Sequence, residues 1–461
     1  MHARKFFKAL SIVVIGVILL AACAAPTAPP PEKVTVVQTV VVAGTPQVQT
    51  IVVTATPPPA APKPVTILSL WGGSEKDAFQ KVLDGFTAKT GIPTQYEQAR
   101  DFLPVVRTRL AAGNPPDIAI IPRPGVMVEF AHAGDIVPLQ GVVGQEVISP
   151  DAATANYSKA WIDLGSVDGQ LYGIAGKANS KSVIWYRPST FKELGLSEPK
   201  TWADLLDIMT KIKAAGKTPF AVGGKDGWTY TDWFENILVR VAGPDLYDQL
   251  VTHKIPWTHP KVKETMERMA DIFGDPANFV GGAEGANGTG FVDGIGQVFG
   301  PTPKAEMYYE GGFVGGIALG NFPNLKPGTD IAFFPFPEID SQYRAPVIGG
   351  GDLAVMFKDT PEARAFMQYL ASKEAGEIWA ATGAIVSPNK TVDLKVYPND
   401  LSRAEAAQLT GATTFRFDGS DLMPSALGGD YLFTAFQQFV ANPKDIDGWL
   451  EKTEAFAAQQ Y

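Results

Sequence analysis

The period of the hydrophobic positions changes repeatedly along this chain, and each change marks an element. Val65 to Leu70 is a short apolar run that reads as a buried strand ending at Trp71-Gly72-Gly73. Phe79, Val82, Leu83 and Phe86 then recur at helical spacing, with a start at Ser74 supported by Asp77 and a stop at Gly91. Ile92 to Glu97 reads as a strand. Val105, Val106 and Leu110 form the apolar face of a second helix capped by Asp101, and Asp117 to Ile121 is a third strand. Strand and helix in alternation predict a βαβαβ unit with a parallel sheet, hence an α/β fold.

The alternation then loosens. Leu171–Ile174 and Ser182–Tyr186 read as strands around a loop, Gly176-Lys177-Ala178-Asn179. Thr201, supported by Asp204, caps a helix burying Leu205, Ile208, Met209 and Ile212. Helices are expected at Asp232–Ala242 and Pro260–Phe273, and short strands at Phe220–Val222, Ala305–Tyr309, Ile331–Pro335 and Leu353–Phe357. Glu284–Gly300 is too glycine-rich to assign, and the tail is helical in four segments from Pro361 onward. The strands near Met307 and Phe333 lack a following helix. The chain is therefore expected to cross between two lobes more than once, making a cleft with several hinge strands. The expected lobes are 65–174 with 304–352, and 175–303 with 353–461.

The first 64 residues follow another pattern. Arg4, Lys5 and Lys8 precede an apolar run from Ala9 to Ala22, which reads as an export signal over 1–22. The run is short of the roughly 20 residues that span a bilayer. Leu20-Ala21-Ala22-Cys23 resembles the bacterial lipobox, which implies cleavage before Cys23 and a lipid anchor on its sulfur. Residues 23–64 are rich in Pro, Thr and Val, and proline-rich chain makes a semi-rigid spacer. Its two Val/Thr patches, Val34–Val42 and Val48–Thr56, read as tether. An edge strand or an oligomerisation ribbon is the alternative.

Charge and composition narrow the functions. Against 48 Asp and Glu there are 39 Lys and Arg, so the net charge is −9, and nucleic acid is not the expected partner. One cysteine allows no internal disulfide. Four histidines without a Cys/His cluster argue against zinc or haem, and no phosphate-binding P-loop motif occurs. No metal and no cofactor is expected, and the protein reads as a monomer.

Aromatic residues gather at strand ends and helix starts: Trp71, Trp185, Trp228 and Trp233. Ligands of open α/β sheets sit at the carboxyl ends of strands. There a ring offers a flat apolar face at little rotamer cost, which suits the C–H faces of a sugar. The polar candidates are Arg100, Asp101, Asp117, Arg123, Lys177, Asp232, Glu310, Asp352 and Arg416. Gly350, within Gly349-Gly350-Gly351-Asp352, would let backbone approach a ligand or would serve as a hinge. Trp202 and Trp379 lie on apolar helix faces and read as core.

Six segments fall in one order: Leu70-Trp71-Gly72-Gly73, Ala111 to Asp117, Leu171-Tyr172-Gly173-Ile174, Val183-Ile184-Trp185-Tyr186, Pro199-Lys200-Thr201-Trp202 and Gly349 to Asp352. This order resembles the family 1 extracellular solute-binding proteins of ABC sugar importers, such as the maltose-binding protein. Phe415-Arg416-Phe417-Asp418-Gly419-Ser420-Asp421 resembles the α-glucoside subgroup. The resemblance covers nearly all of Val65 to Tyr461. It implies a two-lobed type II periplasmic-binding-protein fold, three crossovers, a carbohydrate ligand held between the lobes, and ABC permease subunits as partners. It implies no catalytic activity. A cell-surface glycoside hydrolase or a carbohydrate-binding adhesin is the alternative.

Overall fold

The computed structural model describes residues 33–42, 45–54, 61–141 and 144–461. The export signal and Cys23 lie outside the described residues. The described residues up to 61 and those from 62 onward fall in separate units. In the first unit, β1 (Lys33–Val42) and β2 (Thr45–Thr54) pair antiparallel in register from Lys33 opposite Thr54 to Val42 opposite Thr45. The Val/Thr patches expected as unpaired tether therefore pair with each other. Both patches are rich in residues of high β-propensity, which favours such pairing.

The main elements of the second unit follow in chain order. β3 (Val65–Ser69), α1 (Gly73–Thr90), β4 (Thr94–Gln98), α2 (Phe102–Ala111), β5 (Ile118–Ile121) and α3 (Pro124–Ala133) come first. Next are β6 (Gly173–Ser180), β7 (Val183–Tyr186), α4 (Trp202–Ala214), β8 (Phe220–Ala221), α5 (Trp228–Val241), α6 (Pro260–Phe273) and α7 (Phe291–Phe299). Then come β9 (Met307–Tyr309), α8 (Phe313–Asn321), β10 (Ala332–Pro335), β11 (Val347–Met356), α9 (Pro361–Leu370), α10 (Lys373–Ala380) and α11 (Asp400–Thr410). β12 (Phe415–Phe417), the short α12 (Gly419–Leu422), a π-helical segment (Ala426–Tyr431), α13 (Leu432–Ala441) and α14 (Ile446–Ala457) close the chain.

Two sheets with two cores make two lobes. The first sheet runs β12-β11-β5-β3-β4, with β6 on the other edge of β11. The second runs β8-β9-β7-β10. Phe79, Val82, Leu83 and Phe86 of α1 are buried against the first sheet as their spacing predicts, and Gly91 ends the helix at a left-handed φ of 73°. The second core gathers Trp202, Leu205, Ile208 and Met209 of α4 with α5, α6 and α13. The Thr201–Asp204 capping box is present.

Several expectations are corrected. Gly176 to Asn179 is not a loop, because all eight residues of β6 are buried and Lys177–Ser180 pair with Asp352–Gly349 of β11. The triple glycine Gly349–Gly351 lies inside β11 for the same reason. Glu284–Gly300 carries α7 and part of a short helix at Gly282–Gly288. Helix α8 follows β9 where no helix was expected. The lobe boundaries move too. β9 and β10, from the stretch expected in the first lobe, pair with β7 of the second sheet. Residues from Leu353 to Ile385, expected in the second lobe, pack in the first core. Hydrophobicity alone does not say which core a short strand joins.

The chain passes between the lobes three times. Residues 181–182 join β6 to β7, residues 336–346 join β10 to β11, and residues 418–431 lead from β12 to α13. Among the described residues no helix is long and apolar enough to cross a membrane.

Candidate functional site between the lobes

β11 organises the site. On one edge it pairs with β6. On the other, its second half pairs antiparallel with β5 (Leu353 opposite Ile121) and its start pairs parallel with β12 (Gly349 opposite Phe417). β5 and β12 therefore run head to head, and their carboxyl ends converge on Gly350–Asp352. Arg123, just past β5, and Asp418, just past β12, are delivered to the same gap. The Asp418 N–H donates to the Gly349 carbonyl at 2.9 Å.

Alternation along a strand fixes the facing side chains. Lys177 and Asn179 share one face of β6, and Lys181 follows in the first crossover. Opposite stand Gly350 and Asp352. A Cβ on Gly350 would come within 2.9 Å of Lys181 Cε and 3.4 Å of Asn179 Oδ1, so glycine keeps this polar stripe open.

Lys181 holds the centre. Its ammonium lies 3.0 Å from Asp232 Oδ1, pairs with Asp418, and sits 5.6 Å from the centroid of the Trp228 ring. Burial alone would lower the Lys181 pKa, but Asp232, Asp418 and Asp421 raise it well above its ordinary value. Burial would raise the Asp418 carboxyl, yet contact with Lys181 holds it below the usual range. Burial raises Asp232 and Glu310, and their mutual repulsion raises Glu310 further.

The unpartnered atoms matter most. Arg123 Nη1, Asn179 Oδ1, Asp232 Oδ2 and both Glu310 carboxylate oxygens are buried without a hydrogen-bond partner. Buried polar groups are normally satisfied, and leaving one bare costs about 1–3 kcal/mol. All of these atoms belong to residues at the junction of the lobes. Half-buried Trp228 adds a ring beside them, packed 5.0 Å from Phe291 and 6.1 Å from Phe313. The arrangement can take several hydroxyl groups and one apolar face.

A second polar group lies further along the stripe. Lys177 Nζ is 3.1 Å from Glu75 and 3.4 Å from Asp352, and sits 4.7 Å from the Trp71 ring centroid. Trp71 Nε1 donates to Asp352 Oδ2 at 3.0 Å. Glu75 opens onto a cavity of about 260 Å³ that Gln98 and Arg100 line from the first lobe, and Val292, Ile317 and Asn321 from the second.

The structure thus brings together Arg123, Lys177, Trp228, Asp232, Glu310, Gly350 and Asp352, and places Arg100 on the cavity wall. Trp71 reaches this group by its indole N–H and one ring face, the rest packing on Phe79 and Trp379. Five expected residues lie elsewhere. Asp117 precedes β5, at the strand end away from the gap, where it accepts from the Thr66 N–H and hydroxyl at 2.8 Å each. Asp101 is exposed at the start of α2 and makes no side-chain cap bond. Arg416 points outward to Asp248 at 2.7 Å, because alternation in β12 turns it away from the faces of Phe415 and Phe417. Trp185 and Trp233 are core residues, 1% exposed each; Trp185 Nε1 donates to the Glu310 and Gly311 carbonyls at 3.2 Å. Lys181, Asn179 and Asp418 were missed. The alternation Lys177, Asn179, Lys181 was the available signal, hidden by reading that stretch as a loop.

One more carboxyl titrates unusually. Glu405 of α11 is buried where it accepts from the Ser180 N–H at 3.3 Å, and burial pushes it up to about 8 despite that bond and Lys177. An unfolded Glu titrates near about 4.3. The folded state thus holds a proton that the unfolded state lacks between roughly pH 4 and pH 8. The stability from this group is greatest below that window and is lost as pH rises through it. Urea midpoints are therefore expected to fall from about pH 5.5 to about pH 8.5, and Glu405→Gln should flatten part of that fall. A Glu405→Gln protein with the full wild-type slope would contradict the assignment.

Residues 72–377 match the family model described as bacterial extracellular solute-binding protein. The chain is 35% identical over 382 residues to the osmoprotective compounds-binding protein GgtB of Synechocystis sp., covering 82% of this chain and 89% of that one. It is 33% identical over 392 residues to the alpha-glucosides-binding periplasmic protein AglE of Rhizobium meliloti, covering 83% and 84%. Among solved structures, the bacterial solute receptor AcbH, described as preferring β-D-galactopyranose, superposes with a TM-score of 0.76 at 22% identity, covering 86% of this chain and 99% of that one. The binding protein RafE in complex with raffinose superposes with a TM-score of 0.70 at 19% identity, covering 86% and 99%.

Proposed function

We propose that this chain, which belongs to the bacterial extracellular solute-binding protein family, captures a carbohydrate of the α-glucoside type between its lobes and delivers it to an ABC import permease. The observation that carries the reading is the set of buried, unpartnered polar atoms at the lobe junction beside Trp228. Sugar hydroxyls both donate and accept, so they can satisfy Arg123 as well as Asn179, Asp232 and Glu310. The relative named for α-glucosides supports the same class. Closure over the ligand is a hinge movement about the three crossovers, driven by tighter binding to the closed form.

Glycoside hydrolysis, the rival reading, needs two carboxyls about 5–10 Å apart across the scissile bond and would release sugar products. A thermal-shift screen over maltose, trehalose, sucrose, amino acids, polyamines and phosphates tests the reading. A sugar should raise the melting temperature and be recovered unchanged. A shift by another class alone, or release of sugar products, would overturn it.

The reading includes a lipid anchor at Cys23, on the strength of Leu20-Ala21-Ala22-Cys23 after a basic, apolar leader. Cys23→Ser is expected to move the protein from the membrane to the soluble fraction and to abolish lipid labelling. Unchanged fractionation and labelling would contradict it.

A further inference from the structure

We propose that α5 couples ligand contact to lobe closure, with Glu235, Asn236 and Arg240 as positioning residues that each hold a different crossover. The inference rests on the capture reading above. Every residue of α5 from Thr229 to Val241 is buried. Asp232, Glu235, Asn236 and Arg240 follow the helical spacing of one stripe. Asp232 faces the site through Lys181. The three residues below it face the chain connections.

Asn236 Nδ2 donates to the Lys181 carbonyl at 2.9 Å, and its Oδ1 accepts from the Ser182 hydroxyl at 2.6 Å, which holds the first crossover. Arg240 Nη2 donates to the Pro346 carbonyl at 2.8 Å, which holds the second. Arg240 Nη1 donates to Asn236 O and Oδ1 at 3.0 Å each, linking the two. Glu235 accepts from the Gly419 and Ser420 N–H groups at 2.8 Å each and from the Tyr247 hydroxyl at 2.9 Å, which holds the third.

The first crossover is also bonded to the start of β11, just past the second crossover. The Lys181 N–H donates to the Ile348 carbonyl at 2.8 Å, and the Ile348 N–H donates to Ser182 Oγ at 2.9 Å. A rotation of one lobe on the other must strain or carry these bonds, and all three sets meet on one helix. Arg240 is a fully buried cation whose hydrogen bonds go to carbonyl and amide oxygens, with the Phe336 ring centroid 4.8 Å from its guanidinium carbon. Its geometry therefore depends on where the second crossover sits. None of the three residues needs to touch the ligand for its loss to change capture.

The test uses Arg240→Met, Arg240→Lys and Glu235→Gln in the whole protein, with maltose and trehalose as probes. Small-angle scattering of the ligand-free protein reads lobe opening, and calorimetry reads affinity. Arg240→Met is expected to shift the ligand-free scattering and to weaken sugar binding about tenfold or more. Arg240→Lys should recover part of both effects, and Glu235→Gln should change both in the same direction. Where Arg240→Met does not fold, Arg240→Lys and Glu235→Gln give the same comparison. Folded variants with wild-type scattering and wild-type affinity would overturn the proposal. If neither sugar binds the wild type, the capture reading fails for them, and unchanged scattering in the variants then overturns the coupling separately.

Discussion

Lys181→Met is expected to cost about 3–5 kcal/mol of stability, the usual cost of removing one partner from a buried ion pair. Lys181 is 7% exposed and the Asp232 and Asp418 it faces are 0% and 1% exposed, so neither carboxylate has water to fall back on. Methionine matches the length of the lysine stem, so the loss isolates the charge rather than the volume. The deficit should shrink as pH falls, because in the variant both carboxyls can be neutralised by protonation. Denaturant melts at about pH 7.5 and about pH 5 check this. A variant that melts like the wild type at the higher pH would show that Lys181 does not organise the cluster.

Trp233→Ala and Trp228→Ala should separate core from site. The two lie five residues apart on α5, so at about 100° per residue they face different directions. Trp233 packs against Phe220, Phe273, Tyr309 and Phe336 at ring distances of 4.4–5.8 Å. Its loss is expected to destabilise the fold by about 3–5 kcal/mol and to leave the affinity of folded protein unchanged. Trp228 is only half-buried beside Lys181, and its loss should weaken sugar binding by about 1–3 kcal/mol with a small change in melting. Calorimetry on folded samples and urea melts decide both. Reversed outcomes would exchange the roles assigned to the two rings.

Much of this was legible before the fold was known. The periodicity in 79–86 and 205–212 placed α1 and α4, because each presents a whole apolar face to one core. Trp228, Asp232, Glu310 and Asp352 could be singled out because they border glycines or begin helices. What sequence could not supply was pairing. Gly176 and Asn179 are poor strand formers, yet pairing with β11 makes Gly176–Asn179 part of a buried strand. Trp185 and Trp233 looked like Trp228 by position, and only the packing of neighbouring elements distinguishes them. Asp418 gains its role from β12 pairing with β11 and from Lys181, 237 residues away in the chain, which no local pattern encodes.

Calorimetric titration of maltose and trehalose into the wild-type protein, with scattering recorded on the same samples, tests the central claim most directly. The account predicts saturable binding of a sugar with one site per chain and a decrease in radius of gyration as the lobes close, both weakened in Trp228→Ala. Sugar binding that leaves the radius of gyration unchanged and survives Trp228→Ala at full strength would contradict capture at the lobe junction.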